Sequence, residues 1–104
     1  EGEIRNAILG AGTLVKGAKL TNSIIRREVV LERDVEIEDS IIMDYTKIRE
    51  GARLRRVIVD RYNTIEAGQR IGYDLDADRR QYHVTDSGIV VVSKGRHWLD
   101  DSHY

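Results

Sequence analysis

The 104-residue sequence contains no cysteine and no proline, and no apolar run approaches the roughly 18 residues of a membrane span. Without cysteine there is no disulfide framework, no thiolate metal site and no thiol nucleophile. A reducing, cytoplasmic location is compatible with that and is the expected one. The opening Glu1-Gly2-Glu3 does not resemble a signal peptide. Histidine is confined to positions 83, 97 and 103, too far apart and too lacking in neighbouring thiols to imply a metal site. No glycine-rich phosphate loop, Ser/His/Asp set or perturbed carboxylate pair is legible. Charge of one sign is also missing: the formal net charge is -1 and the pI about 6.4, which counts against nucleic acid as a partner and leaves any basic site as a local patch.

What is present is a repeat. Leu14, Leu31, Ile48 and Ile65 are seventeen apart, and so are Leu20, Ile37, Leu54 and Ile71. Ile25, Ile42 and Val59 form a third column and Ile24, Ile41 and Ile58 a fourth, while Gly17, Asp34, Gly51 and Gly68 recur at a turn position. The stretch Ile4 to Leu9 repeats as Leu20 to Ile25 at a spacing of sixteen. No i, i+3, i+4, i+7 stripe supports helices; short β-branched segments about six residues apart predict an all-β parallel β-helix of triangular coils over residues 4–73. Stacked coils would bury an aliphatic ladder that no single repeat can bury alone. About four coils of 16–17 residues are expected, with all aliphatic columns assigned to the core. Because the register opens in mid-repeat, the chain is expected to have been cut from something longer.

Beyond Gly72 the repeat ends. Residues 74–79 are expected to be an acidic, solvated connector; Asp74, Asp76 and Asp78 mimic the start of a calcium loop, but Arg79 and Thr85 stand where glycine and glutamate are required. Arg80 to Thr85 and Ile89 to Ser93 flank Asp86-Ser-Gly88, which predicts a β-hairpin over residues 80–93 closing the coil stack. The tail 94–104, anchored by Trp98, is assigned no element. Thirteen arginines against four lysines suit bidentate recognition of phosphate or carboxylate, and five of them fall at 49, 53, 55, 56 and 61. Outward positions of a β-helix must be polar anyway, so charge density alone makes most of these a solvated face.

Three motifs in fixed order carry a resemblance: Leu54-Arg-Arg-Val-Ile-Val-Asp-Arg61, Ile65-Glu-Ala-Gly-Gln-Arg-Ile-Gly72, and the hairpin from Asp78 to Val92. Together they resemble the C-terminal domain of bacterial ADP-glucose pyrophosphorylase (glucose-1-phosphate adenylyltransferase). Tyr82 stands where that family usually has Phe, and Ala67 replaces its proline-containing turn. The resemblance implies a left-handed β-helix, against the usual crossover hand. It implies an N-terminal catalytic domain, absent from this chain, holding Mg and making ADP-glucose and pyrophosphate from ATP and glucose 1-phosphate for glycogen synthesis. It further implies assembly into a homotetramer and control by a sugar-phosphate effector. Arg61, in the Ile-x-Asp-Arg motif, and Lys94, after the last strand, match the family's effector contacts; Arg96 joins them by proximity, and Arg80 is a further candidate for which, as for Arg79, a structural role is the alternative. No cofactor and no catalytic residue are expected in the chain itself. Two other readings stay open: a hexapeptide acyltransferase, disfavoured by coils without histidine, and a ligand-free assembly module.

Overall fold

The computed structural model describes residues 2–96, so His97, Trp98 and His103 lie outside the described residues. Among the described residues, eleven short strands wind into a solenoid with three faces, and two more form a hairpin after it. The first coil contributes β1 (Glu3–Leu9) and β2 (Leu14–Val15), the second β3 (Lys19–Ile25) and β4 (Val30–Leu31). The third holds β5 (Glu36–Glu38), β6 (Ile41–Ile42) and β7 (Lys47–Ile48), and the fourth β8 (Arg53–Arg55), β9 (Val57–Val59) and β10 (Thr64–Ile65). β11 (Arg70–Ile71) begins a fifth. The strands β1 and β3 run unbroken across one corner, which joins two faces into a nine-stranded sheet of order β11-β8-β5-β3-β6-β9, with β1 beside β3 and the two C-terminal strands, β13 (Val90–Val92) and then β12 (His83–Val84), continuing it beyond β9. The third face is the four-stranded sheet β10-β7-β4-β2. All pairings between coils are parallel.

Each face sends one aliphatic column inward. Leu20, Ile37, Leu54 and Ile71 line the first, Ile25, Ile42 and Val59 the second, and Leu31, Ile48 and Ile65 the third, all at most 2% exposed. Burying each is worth about 1.5–3 kcal/mol, and the parallel rungs hold like residues in contact. The third column differs from the seventeen-residue expectation at its start. Between the first two coils the register is sixteen, pairing Val15 with Leu31 and Leu14 with Val30, so Leu14 points outward and is 56% exposed. The expectation that Ile24, Ile41 and Ile58 join the core is likewise corrected. They pair rung to rung beside the buried column, but side chains alternate across a strand, which turns this column to the outer surface together with Ile8. Ile8 and Ile24 are exposed, and Ile41 and Ile58 partly so.

The corners explain the six-residue step. In every coil each corner holds one residue with positive φ: Asn6, Asn22, Asp39 and Arg56 at the first; Gly12, Glu28, Tyr45 and Tyr62 at the second; Gly17, Asp34, Gly51 and Gly68 at the third. A left-handed residue swings the chain through the corner, and the residue after it turns inward. At the first corner those inward residues include Ser23 and Ser40, whose buried hydroxyls donate to Thr21 O and Glu38 O and accept from Ser40 N (3.2 Å) and Val57 N (3.0 Å). These two buried hydroxyls are thus paired from coil to coil.

The segment expected to be a solvated connector is a short helix, α1 (Leu75–Arg79). Asp74 caps it, accepting from Ala77 N, and Asp76 pairs with Arg79 at 3.1 Å. Asp78 is buried, 4% exposed, and accepts from Gly72 N at 2.9 Å. Gly72 itself has φ +95 and lies so close to Arg55 O that a Cβ would sit 1.8 Å from it, so this turn needs glycine. Arg80, expected to open the hairpin, is instead the helix C-cap. The hairpin strands are only β12 (His83–Val84) and β13 (Val90–Val92), joined through Gly88 at φ +84. The strand β13 adds a parallel rung to β9 and covers the top of the second face, burying Val90 and Val92.

Candidate functional site

The five arginines of residues 49–61 each find a partner. Arg49 lies 3.8 Å from Glu66, Arg53 3.9 Å from Glu36, and Arg61 3.9 Å from Asp60. Arg55 covers the Tyr73 ring, which Arg70 also faces. Arg56 donates to Ser87 O at 2.7 Å and so pins the hairpin turn to the coil beneath it. Four of the five therefore stabilise the stack, each exposed ion pair by about 1 kcal/mol or less. Among the described residues, the Arg61 side chain pairs with its sequence neighbour alone.

Arg61 sits at the second corner, and there the chain brings three of the four expected site residues together. Gly95 N donates to Arg61 O at 2.9 Å, which lays the segment after β13 on the corner. Lys94 Nζ then lies over the Tyr62 ring, 5.8 Å from its centre, and Arg96 lines an open groove with Tyr62. The groove encloses about 400 Å³ along the third face, between Tyr45, Tyr62, Lys47, Thr64, Glu28 and Arg96. That volume is at the lower end of small-molecule sites. Arg80 is elsewhere: with Arg79, His83 and Ser93 it lines a separate polar groove of about 440 Å³ beside the hairpin.

Tyr45 and Tyr62 were not anticipated as site residues, although they are seventeen apart and so stand in register. Their rings stack with centres 5.5 Å apart and planes at 13°. Arg27 lies over the Tyr45 ring at 5.8 Å, held by Asp44, whose nearly buried carboxylate bridges Arg26 (3.5 Å) and Arg27 (3.4 Å). From coil to coil the corner reads cation, tyrosine, tyrosine, cation. Among the described residues no group of three or more His, Asp or Glu is placed to hold a metal ion.

Two other tyrosines report on the closing end. Burial raises Tyr73 above the ordinary phenol range, with Arg55 opposing and Glu38 and Glu36 adding to the rise. Burial likewise raises Tyr82, whose hydroxyl accepts from Gln69 at 2.6 Å while Asp78 repels the phenolate. A phenol whose folded pKa exceeds its unfolded value near 10 contributes fully below that value and loses its contribution as pH rises through the folded pKa. Denaturant midpoints measured from about pH 9 to 11.5 should therefore fall on the alkaline side, and Tyr82→Phe should flatten that fall. An unchanged slope in the variant would contradict the assignment.

Three segments of five or six residues per turn, each with one inward aliphatic, define a hexapeptide-repeat β-solenoid, and no helix among the described residues is long and apolar enough to cross a membrane. The chain belongs to the GlmU-like C-terminal hexapeptide family, whose family model matches residues 1–92. It is similar to proteins named glucose-1-phosphate adenylyltransferase: 40% identical to that of Thermodesulfovibrio yellowstonii over 96% of this chain and 24% of the relative. With those of Koribacter versatilis and Aliivibrio fischeri the identity is 36% and 34%, over 89% of this chain and 22% and 23% of the relatives. The chain thus spans about a quarter of the length of the curated relatives it matches.

Proposed function

We propose that this chain is the C-terminal regulatory and oligomerisation part of a glucose-1-phosphate adenylyltransferase, and that its second corner binds a sugar-phosphate effector. The observation that carries the reading is the docking of the segment after β13 on the corner, where Gly95 N meets Arg61 O, Lys94 lies over the Tyr62 ring and Arg96 lines the groove. Guanidinium and ammonium groups at one exposed corner suit phosphate oxygens through charge-assisted hydrogen bonds. Catalysis, with its Mg and its ATP and glucose 1-phosphate, belongs to a catalytic domain of the same protein, and the chain alone is expected to make no ADP-glucose. Arg80 enters the effector contact only if the ligand reaches the hairpin groove.

Assembly is supported by a different observation. The first face carries an outward charged ladder, Lys19, Glu36 and Arg53, whereas the second carries the outward isoleucines 8, 24, 41 and 58. An aliphatic column on the outside of a solenoid is suited to packing against another protein surface, here the catalytic domain or further copies in a tetramer.

The effector site is tested by titrating the isotope-labelled chain with fructose 1,6-bisphosphate and following backbone amide shifts. Weak, millimolar-range binding is expected, with the largest shifts at Tyr45, Arg61, Tyr62 and Lys94. Shifts centred on Arg80 and His83, or no shifts at saturating ligand, would contradict the placement.

A further inference from the structure

The second corner differs from the other two in what occupies its left-handed positions. The third corner uses Gly17, Asp34, Gly51 and Gly68, and the first uses Asn6, Asn22 and Asp39 before Arg56, so the small or turn-forming residues that tolerate positive φ dominate. The second corner instead places Tyr45 at φ 58 and Tyr62 at φ 62. A bulky residue is uncommon there, and each costs about 1–2 kcal/mol relative to a relaxed backbone. Stacking of the two rings returns only about 0.5–1.5 kcal/mol. Glycine would make the corner at lower cost, as Gly12 does two coils before Tyr45 in the same column. Backbone strain held by its surroundings in this way is a mark of ligand clamps.

Geometry limits what such a clamp can take. The register puts Arg27 on the outer face of Tyr45 and Lys94 on the outer face of Tyr62, and the inner faces meet each other. No ring face is left for a planar base to stack on. With their faces occupied, the tyrosines line the groove by their edges, together with Thr64, the cations Lys47 and Arg96, and Glu28. Hydroxyls and a carboxylate suit a polyhydroxylated body, while the cations suit an attached phosphate.

We propose that the stacked Tyr45–Tyr62 pair is a specificity wall, whose hydroxyls hydrogen-bond the sugar body of the effector while the corner cations hold its phosphate. The inference rests on the effector reading of this corner and adds what distinguishes a sugar phosphate from phosphate alone. It is tested on the 104-residue chain by calorimetric titration with fructose 1,6-bisphosphate, fructose 6-phosphate and inorganic phosphate. The double variant Tyr45→Phe, Tyr62→Phe keeps the rings, the stack and the capping cations, so the fold is preserved and only the hydroxyls go. Its dissociation constants for both sugar phosphates should rise by about tenfold, the loss expected for one or two neutral hydrogen bonds, with inorganic phosphate unaffected. Lys94→Ala should weaken all three ligands together. Unchanged sugar-phosphate affinity in the double variant, with Lys94→Ala still weakened, would overturn the wall and leave the effector site standing. Failure of the wild-type chain to bind any sugar phosphate would overturn the effector reading and the wall with it.

Discussion

Replacing Leu54 by alanine is expected to lower the melting temperature of the chain by about 10–30 °C, the shift that corresponds to roughly 2–5 kcal/mol in a domain of this size. Leu54 is fully buried between Ile37 below and Ile71 above, and hydrogen-bonded rungs fix its neighbours on both sides. Parallel strands are held about 4.8 Å apart by their backbone bonds, so the wall cannot collapse into the space left behind. The lost transfer energy and the cavity therefore both count. Leu14→Ala is the control. A strict seventeen-residue register would place Leu14 in the ladder with Leu31, but the sixteen-residue first step leaves it outside, and its truncation should change stability by no more than about 0.5 kcal/mol. Thermal melts of the two variants, followed by circular dichroism, separate the registers. Equal losses from both would mean that the first coil is in the wrong register.

The stacking period was legible because core positions of a solenoid must repeat: Leu20, Ile37, Leu54 and Ile71 are inward for the same reason that they are seventeen apart. The direction of Ile24, Ile41 and Ile58 was not, since each is followed directly by another buried aliphatic and a run of two gives no alternation to read. Corner positions occupied by glycine or aspartate announced themselves at 17, 34, 51 and 68. Those occupied by Glu28, Tyr45, Arg56 and Tyr62 did not, because nothing in the identity of those residues favours positive φ. The aspartates at 74, 76 and 78 read as a solvated run; only the fold shows that one caps a five-residue helix and another is buried on the Gly72 amide. Helices this short have too few positions to display a period.

The candidate site was legible in part. Arg61 and Lys94 are 33 positions apart in sequence, as Val57 and Val90 are in the pairing of β9 with β13, and that pairing brings them to one corner. The pairing follows from the hairpin, which the Asp86-Ser-Gly88 turn signalled. Arg96 follows Lys94 to the same groove, but Arg80, four residues from Val84 on the other strand, is carried to the opposite side of the hairpin. The tyrosine pair required the corner geometry as well as the period, and only their shared register could have pointed to it.

Removing Arg61 and Lys94 is the second change with a large expected effect, and it bears on regulation rather than folding. Both side chains are exposed, so truncation opens no cavity and leaves the coil stack as it is. A charge-assisted hydrogen bond to phosphate is worth about 1.5–3 kcal/mol, which corresponds to roughly 10- to 100-fold in ligand concentration. The most direct measurement is therefore the activation curve of the full-length protein, proposed above to be a glucose-1-phosphate adenylyltransferase, carrying Arg61→Ala, Lys94→Ala or both, with fructose 1,6-bisphosphate or fructose 6-phosphate as activator. The activator concentration for half-maximal stimulation should rise about 10- to 100-fold while turnover without activator is retained. Activation that persists at wild-type concentrations while basal turnover is lost would contradict it.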